Sequence, residues 1–575
     1  MTLQALVQYV FFLLLLTVLV KPLGGYMARV FQGQRTLLDP ALRPVERFLY
    51  RLTRVDEQEE MDWKQYAVSF VLFGFCGILL LYAILRLQRF LPWFYPAWQT
   101  TPLTPDLAMN TAVSFATTTT WQAYSGETTM SYFSQMVGLT AQNFLAGAAG
   151  LAVGVAFIRG FVRQKAATLG NFWVDLVRGL LWVLLPLALA GALVLVWQGV
   201  PMNFHSYTQV HTVEGTRQTI AQGPVAALEI IKNLGTNGGG FFNANSAHPY
   251  ENPTPLTNLI AMLAIAVLPT AFTNTFGRMV GNPWQGWTLY AVMTTLFVAG
   301  LLVCGWSEQR GMRILAQHGT SATTNPPGEN MEGKEVRFGV AQSALAAVVT
   351  SNGATGSYNS MHDSYTALGG AVPLVNMLLG EIVYGGLGTG LYSIVLIALL
   401  GLLLAGLMVG RTPEYLGKTI GPEESKMLTL YVLASPLAIL PLTALGVATK
   451  AGLAGLTTNT GAHGLTEILF AFASCVANNG QSFAGLNANL PFYNLTTMAA
   501  MMVGRFGLAI PALALAGYFA AQQRRFGGEG TIRTDSFIFG VLLLATALIV
   551  CGLSFFPALT LGPVLDHLAG LTRGA

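Results

Sequence analysis

Ten stretches of the chain are apolar for 18 residues or more with no polar face, near 3–20, 66–86, 132–158, 172–198, 256–277, 284–305, 372–409, 428–448, 491–520 and 535–558. A helix needs about 20 mostly apolar residues to cross a bilayer, so the pattern predicts an all-α membrane protein with ten transmembrane helices. Four shorter apolar stretches lie between them, at Asn110–Thr117, Pro224–Asn233, Val340–Val349 and Leu465–Ser474. Each is about half the length a span requires, which suits a helix that enters the membrane and turns back. Irregular backbone at that depth is tolerated only where it is buried in protein or lines a cavity.

Each short stretch runs into a polar turn. The four turns read ThrThrThrTrpGln (118–122), ThrAsnGly (236–238), SerAsnGly (351–353) and AsnAsnGly (478–480). Aligning Thr120, Gly238, Gly353 and Gly480 gives spacings of 118, 115 and 127 residues, so a unit of span, half-length helix, turn and span recurs four times. A single AsnGly is an ordinary turn signal. Three matched turns at near-equal spacing, each after a half-length helix, read as pore loops in a pseudo-fourfold arrangement. The expected organisation is an extra N-terminal helix and inside loop (1–62), four repeats (63–165, 166–280, 281–412 and 413–525) and an extra C-terminal helix (526–575).

Composition agrees with a membrane setting. Charged residues make up 10% of the chain and hydrophobic residues 53%, where a soluble domain carries roughly 25% charged residues. The net charge of +4 comes from basic residues scattered over short loops, which argues against nucleic acid as a partner. With the N-terminus outside, the inside segments 21–64, 159–178, 278, 411–426 and 524–533 hold 19 of the 30 Lys and Arg residues, so both termini are expected outside. Stretch 3–20 has no preceding basic residue and no small-residue cleavage site after it, and reads as a retained span rather than a signal peptide. The arginines at 29, 35, 43, 47, 51 and 54 also suit anionic lipid headgroups. Cys76, Cys304, Cys475 and Cys551 have no metal-ligand or disulfide spacing and read as small packing residues.

A dehydrated cation needs several oxygen ligands at once, and four turns around one axis can supply them from backbone carbonyls. The turns hold no acidic residue, so the ligands are neutral dipoles. That favours a weakly hydrated monovalent ion over magnesium or calcium, which prefer carboxylates. The segment Gly380–Gly390 carries Gly385, Gly386, Gly388 and Gly390 and cannot hold a regular helix. It reads either as a gating loop across a pore or as a packing interface of small residues. Glu381 in that segment and Arg505 in the ninth span are charges at membrane depth and must face protein, water or the ion. The histidines at 205, 211, 248, 318, 362, 463 and 567 form no ligand pair on one helix and read as solvated or loop-bracing. Gly417-Lys418-Thr419 ends like a phosphate-binding loop, but Thr412 occupies the place of its first glycine. No phosphorylation segment of the AspLysThrGly type occurs, so an ATP site is not expected on this chain.

Several longer strings resemble one family. They are AsnThrAlaValSerPhe (110–115), TyrSerGlyGluThrThr (124–129), LeuGlyThrAsnGlyGlyGlyPhePheAsnAlaAsn (234–245), HisProTyrGluAsnProThr (248–254), MetHisAspSer (361–364), GlyArgThrProGluTyrLeuGlyLys (410–418) and AsnAsnGlyGlnSerPheAlaGlyLeu (478–486). Over essentially its whole length the chain is similar to the A subunit (KdpA) family of bacterial Kdp potassium-transporting P-type ATPases. The resemblance implies a potassium-transporter fold, K+ as the transported ion, and an inner-membrane Kdp complex. Its other members would be an ATP-hydrolysing B subunit of the P-type class, a C subunit and a small F subunit. The resemblance also implies a potassium filter at Thr118, Thr119, Thr120, Thr236, Asn237, Gly238, Ser351, Asn352, Gly353, Asn478, Asn479 and Gly480, with Gln122 supporting ion discrimination. A self-sufficient channel or symporter of the same superfamily is the competing expectation.

Overall fold

The computed structural model describes residues 1–311, 329–524 and 533–573. His318 and part of the last inside loop fall outside the described residues. Among the described residues, ten helices long and apolar enough to cross a membrane run over Leu3–Phe31, Trp63–Phe90, Ser134–Val162, Phe172–Trp197, Pro255–Met279, Pro283–Arg310, Thr389–Val409, Pro422–Ala448, Pro491–Ala521 and Phe537–Gly570. They match the ten apolar stretches in order. The first is 29 residues long and continues past Lys21, because nothing in the following residues breaks it and even Pro22 is accommodated.

Span starts carry local signals. Asp62 and Gln65 form a reciprocal cap on the second span. Thr254 and Thr257 do the same for the fifth, where Pro255 takes the first helical position and loses no needed donor. The third span is 83% buried over its apolar window and the eighth only 22%, so the third sits at the centre of the molecule and the eighth at its rim. Composition explains the difference. The third span carries small residues, AlaGlyAlaAlaGlyLeuAlaValGly over 146–154, which let neighbouring backbone approach closely. Among the described residues, four spans contain π-helical turns, at Ser134–Thr140, Gly179–Leu184, Val503–Gly507 and Thr560–Val564.

Four half-length helices lie between spans, at Pro105–Ala116, Val225–Leu234, Gly339–Asn352 and Gly461–Val476. The stretch read as one interrupted seventh span is two helices, Ala367–Leu378 and Thr389–Val409, parted by a glycine-rich crossing. Gly380, Glu381, Tyr384 and Gly388 there all have positive φ, which ends the helix.

Lys418 has a structural use. It stands in a hairpin of Glu414–Tyr415 with Lys418–Thr419. Its ammonium donates to the carbonyls of Arg163 (2.6 Å), Phe519 (2.7 Å) and Gln522 (2.8 Å), tying down the C-terminal ends of the third and ninth spans. All three donors are used on backbone, consistent with the departure from a phosphate-binding loop.

Candidate functional site: a closed ring of four turns

Each half-length helix ends at a capping residue, Thr117, Gly235, Gly353 or Ala477. The residue after each cap is left-handed: Thr118 at φ 65°, Thr236 at 49°, Ala354 at 48° and Asn478 at 49°. The backbone amide one position later bonds back five residues into the helix in three of the turns, from Asn237 to the Lys232 carbonyl, Thr355 to Thr350 and Asn479 to Ser474. In the first turn Thr120 reaches back to Ser114.

These shared features set the register. The equivalent triplets are Thr118-Thr119-Thr120, Thr236-Asn237-Gly238, Ala354-Thr355-Gly356 and Asn478-Asn479-Gly480. The third differs from the sequence expectation by three residues: Ser351 and Asn352 are the last residues of a helix and Gly353 is its cap. Small-Asn-Gly is also what a helix C-terminus looks like, and there the two signals coincide. The first turn manages without glycine because Thr120 itself takes φ 52°. The cost of a β-branched left-handed residue, about 1–2 kcal/mol, is offset by its hydroxyl, which lies 2.8 Å from the Thr119 carbonyl and 2.6 Å from the Asn237 carbonyl.

The turns touch in cyclic order. The Thr120 hydroxyl bond to the Asn237 carbonyl joins first to second. Gln122 clamps the same pair, accepting from the Gly240 amide (2.8 Å) and donating to the Gly240 carbonyl (3.1 Å). The Gly356 amide donates to the Asn237 carbonyl at 3.2 Å, joining second to third. The side-chain amide of Asn479 donates to the Thr350 (3.2 Å) and Ser351 (3.1 Å) carbonyls, joining fourth to third. The side-chain amide of Asn478 donates to the Thr119 hydroxyl at 2.9 Å and closes the ring from fourth to first. The ring is closed to bulk solvent: Thr119, Asn237, Thr355 and Asn479 are all fully buried. Among the described hydrogen bonds, none ends on the carbonyl of Thr118, Thr236, Ala354 or Asn478, the same position in all four turns. Buried carbonyls are ordinarily paired, so four equivalent exceptions need a partner of another kind.

Beside the ring lies a small polar cavity lined by Thr118, Thr236, Ala354, Gly386, Leu387, Glu381 and Arg505, among others. About 10 Å³ of it is open to the centre of a water-sized sphere, roughly room for one water. The glycine-rich crossing forms one wall. The Leu387 amide donates to the Thr236 hydroxyl at 2.9 Å. A Cβ on Gly388 would meet the Gly150 carbonyl oxygen at 2.1 Å, and one on Gly390 the Gly385 amide at 2.7 Å. Arg505 donates to the Thr118 hydroxyl (3.2 Å) and the Ala146 carbonyl (2.8 Å) from the π-turn of the ninth span. Glu381 and Arg505 thus face the same cavity.

Sequence reasoning missed Lys232. It is fully buried on the second half-length helix, 2.6 Å from both Glu229 and Glu251 and 2.7 Å from Asn245. Asn245 in turn donates to the Gly356 carbonyl at 3.1 Å. The signal was a charged pair three residues apart inside an otherwise apolar re-entrant stretch.

The register yields a direct test. Gly356→Ala puts a Cβ 2.8 Å from the Gly480 backbone, inside the ring, whereas the nearest atoms to a Cβ on Gly353 are the Ile265 Cγ2 at 2.4 Å, a side chain outside the ring, and the Val349 carbonyl of its own helix. The first substitution is expected to raise the half-saturating concentration of the transported ion about tenfold, ~1.4 kcal/mol, with the second leaving it within about twofold. Equal effects from both would refute the three-residue shift.

Ten candidate spans among the described residues, around a buried ring of turns with uncommitted carbonyls, define a membrane transport protein for a small ion. The family model described as the potassium-transporting ATPase A subunit (KdpA) matches residues 10–568. A potassium-transporting ATPase potassium-binding subunit of Methylobacterium nodulans is 54% identical over 99% of this chain and 98% of its own length. One from Bradyrhizobium diazoefficiens is 52% identical over 99% of each. The potassium transporter TrkH of Vibrio parahaemolyticus superposes with a TM-score of 0.48 at 12% identity, covering 78% of this chain and 82% of its own. The chain belongs to the KdpA family.

Proposed function

We propose that the ring is a potassium-selective filter and that the chain is the potassium-binding, non-hydrolytic subunit of an ATP-driven uptake complex. The observation that carries this reading is the set of four equivalent buried carbonyls, at Thr118, Thr236, Ala354 and Asn478, with no hydrogen-bond donor among the described bonds. A dehydrated monovalent cation is the partner such a set suits, because neutral dipoles match weak hydration and are too weak to replace the hydration of a divalent ion. Thr119, Thr120, Asn237, Gly238, Thr355, Gly356, Asn479 and Gly480 shape the ring, and Gln122 holds its first two turns in register. In this reading the four repeats and two extra helices divide the chain as the sequence suggested.

The ion enters from the side that carries the termini, taken as the periplasm of a bacterial inner-membrane protein, and reaches the cavity next to Glu381 and Arg505. The arginine discourages a cation from resting at the exit, and the glutamate offsets that repulsion. The crossing at Gly385, Gly386, Gly388 and Gly390 packs so closely against the third span that it must move for the ion to continue, which makes it a gate. Family membership supports delivery to an ATP-hydrolysing B subunit, with the C and F subunits completing the Kdp complex and no ATP site on this chain.

ATP hydrolysis by the co-purified complex tests this reading. Low potassium is expected to stimulate it and sodium at the same concentration to have little effect. Potassium flux through this chain alone in vesicles, without ATP, would instead make it a self-sufficient channel or symporter.

A further inference from the structure

A second site lies away from the ring, where three segments meet. His463 and Glu467 are one turn apart on the same face of the fourth half-length helix. Asp363 reaches them from the short turn His362–Ser364, which follows the third ring turn. One imidazole nitrogen, Nε2, is 2.9 Å from the Asp363 carboxylate, and the other, Nδ1, is 2.9 Å from Asp566 at the end of the tenth span. One ligating atom each from Asp363, His463 and Glu467 lie within 4.8 Å of one another.

Two observations go beyond a cluster of charges. Glu467 is fully buried, yet its Oε2 has no hydrogen-bond partner, while Oε1 accepts from Asn459 at 2.8 Å. A buried carboxylate oxygen left open costs about 1–3 kcal/mol or more unless something fills the space. Asp566 also holds the second imidazole nitrogen in the manner of a carboxylate–histidine–metal triad, which fixes the ring and raises its basicity. Among the described ion pairs, His463 is the only cationic partner of Asp363 and Asp566.

We propose that Asp363, His463 and Glu467 bind one divalent transition-metal ion, with Asp566 orienting the imidazole. One nitrogen and two carboxylate oxygens balance a divalent charge and leave positions for water. Bonds of about 2.0–2.2 Å place tetrahedral ligands roughly 3.3–3.6 Å apart, so the His463–Asp363 pair, at 2.9 Å, must open slightly and the wider pairs, within 4.8 Å, must close. The ion displaces the Nε2 proton, so metal and proton compete for that nitrogen. Because the Asp363 amide donates to the Phe483 carbonyl at 2.7 Å, the bound ion braces the loop that follows the fourth ring turn. The site is independent of the potassium reading.

Tag-free full-length chain, stripped with chelator and titrated with ZnCl₂, is to be desalted and its zinc measured by mass spectrometry. A Cys76→Ser background removes the exposed thiol. One zinc per chain is expected, lost in Asp363→Asn and Glu467→Gln. Asp566→Asn should weaken binding about 10–100-fold. Cobalt(II) substituted into the unmutated site should give the visible absorption of a low-symmetry nitrogen–oxygen centre, and His463→Cys should keep the metal while adding a thiolate charge-transfer band. Substoichiometric zinc together with a purely aqueous cobalt spectrum in the parent chain overturns the proposal without reference to whether any variant folds. Zinc retained in both Asp363→Asn and Glu467→Gln overturns it equally.

Discussion

Gly238→Ala is expected to raise the potassium concentration that half-stimulates ATP hydrolysis about a hundredfold, ~2.7 kcal/mol, while the chain still inserts and assembles. Gly238 sits at φ 97°, a region that costs an L-residue about 1–2 kcal/mol. An added Cβ would fall 2.2 Å from the Gly356 nitrogen and 2.5 Å from its Cα. Both are backbone atoms of the neighbouring turn, so no side-chain rotation relieves the contact. Either the second or the third turn must shift, and the Asn237 carbonyl that accepts from both Thr120 and Gly356 shifts with it. In the proposed filter, discrimination rests on a set of oxygens held at one spacing, so sodium stimulation should rise as potassium stimulation falls. Gly238→Asp should act in the same direction and add a charge to a ring of neutral ligands. An alanine variant with normal melting temperature and unchanged potassium dependence would remove the second turn from the filter.

Lys232→Met should cost about 3–5 kcal/mol of stability, the largest loss expected from any single substitution discussed, because it strands two buried carboxylates. Glu229 and Glu251 each lie 2.6 Å from the ammonium and are themselves nearly inaccessible to solvent. The loss should reach the ring, since Asn245 links Lys232 to the third turn and the Lys232 carbonyl accepts the Asn237 and Gly238 amides. Thermal melting of the detergent-solubilised chain measures it. Adding Glu229→Gln and Glu251→Gln to the methionine variant should recover more than half of the lost stability, since the stranded groups then carry no charge. If the triple variant melts no higher than Lys232→Met alone, the destabilisation comes from lost packing and the ion-pair argument is wrong.

Much of the architecture could be read along the chain. All ten spans were visible as apolar stretches, because a bilayer demands length and low charge whatever the packing. The four half-length helices were visible for the complementary reason: they are apolar but too short to cross. The glycine-rich break in the seventh span was visible because four glycines within six residues cannot hold a helix. The limits of the half-length helices differed by up to about five residues and those of the first, seventh and tenth spans by about 11 to 17, since helix ends such as those at Thr117 and Gly235 depend on geometry rather than composition.

The third turn shows where a linear reading stops. SerAsnGly at 351–353 matches its counterparts by residue type, yet a helix runs through Ser351 and Asn352, and AlaThrGly at 354–356 takes the matching backbone. Type alone cannot separate a helix end from the turn beyond it, because both favour small polar residues and glycine. His463 shows the same limit. Read singly it was a loop-bracing side chain, and only folding brings Asp363, 100 residues away, and Asp566, 103 residues away, to its two nitrogens.

By itself the sequence determined that this chain carries ten stretches long and apolar enough to cross a membrane and four polar turns free of acidic residues, because hydropathy and residue chemistry are local properties. Only the tertiary structure decided which residues of those turns face one another, that the fourth closes onto the first, and that Lys232, Glu381 and Arg505 stand around the same ring. Those contacts join residues more than a hundred positions apart, and their distances are set by the packing of small-residue spans, which no local pattern encodes.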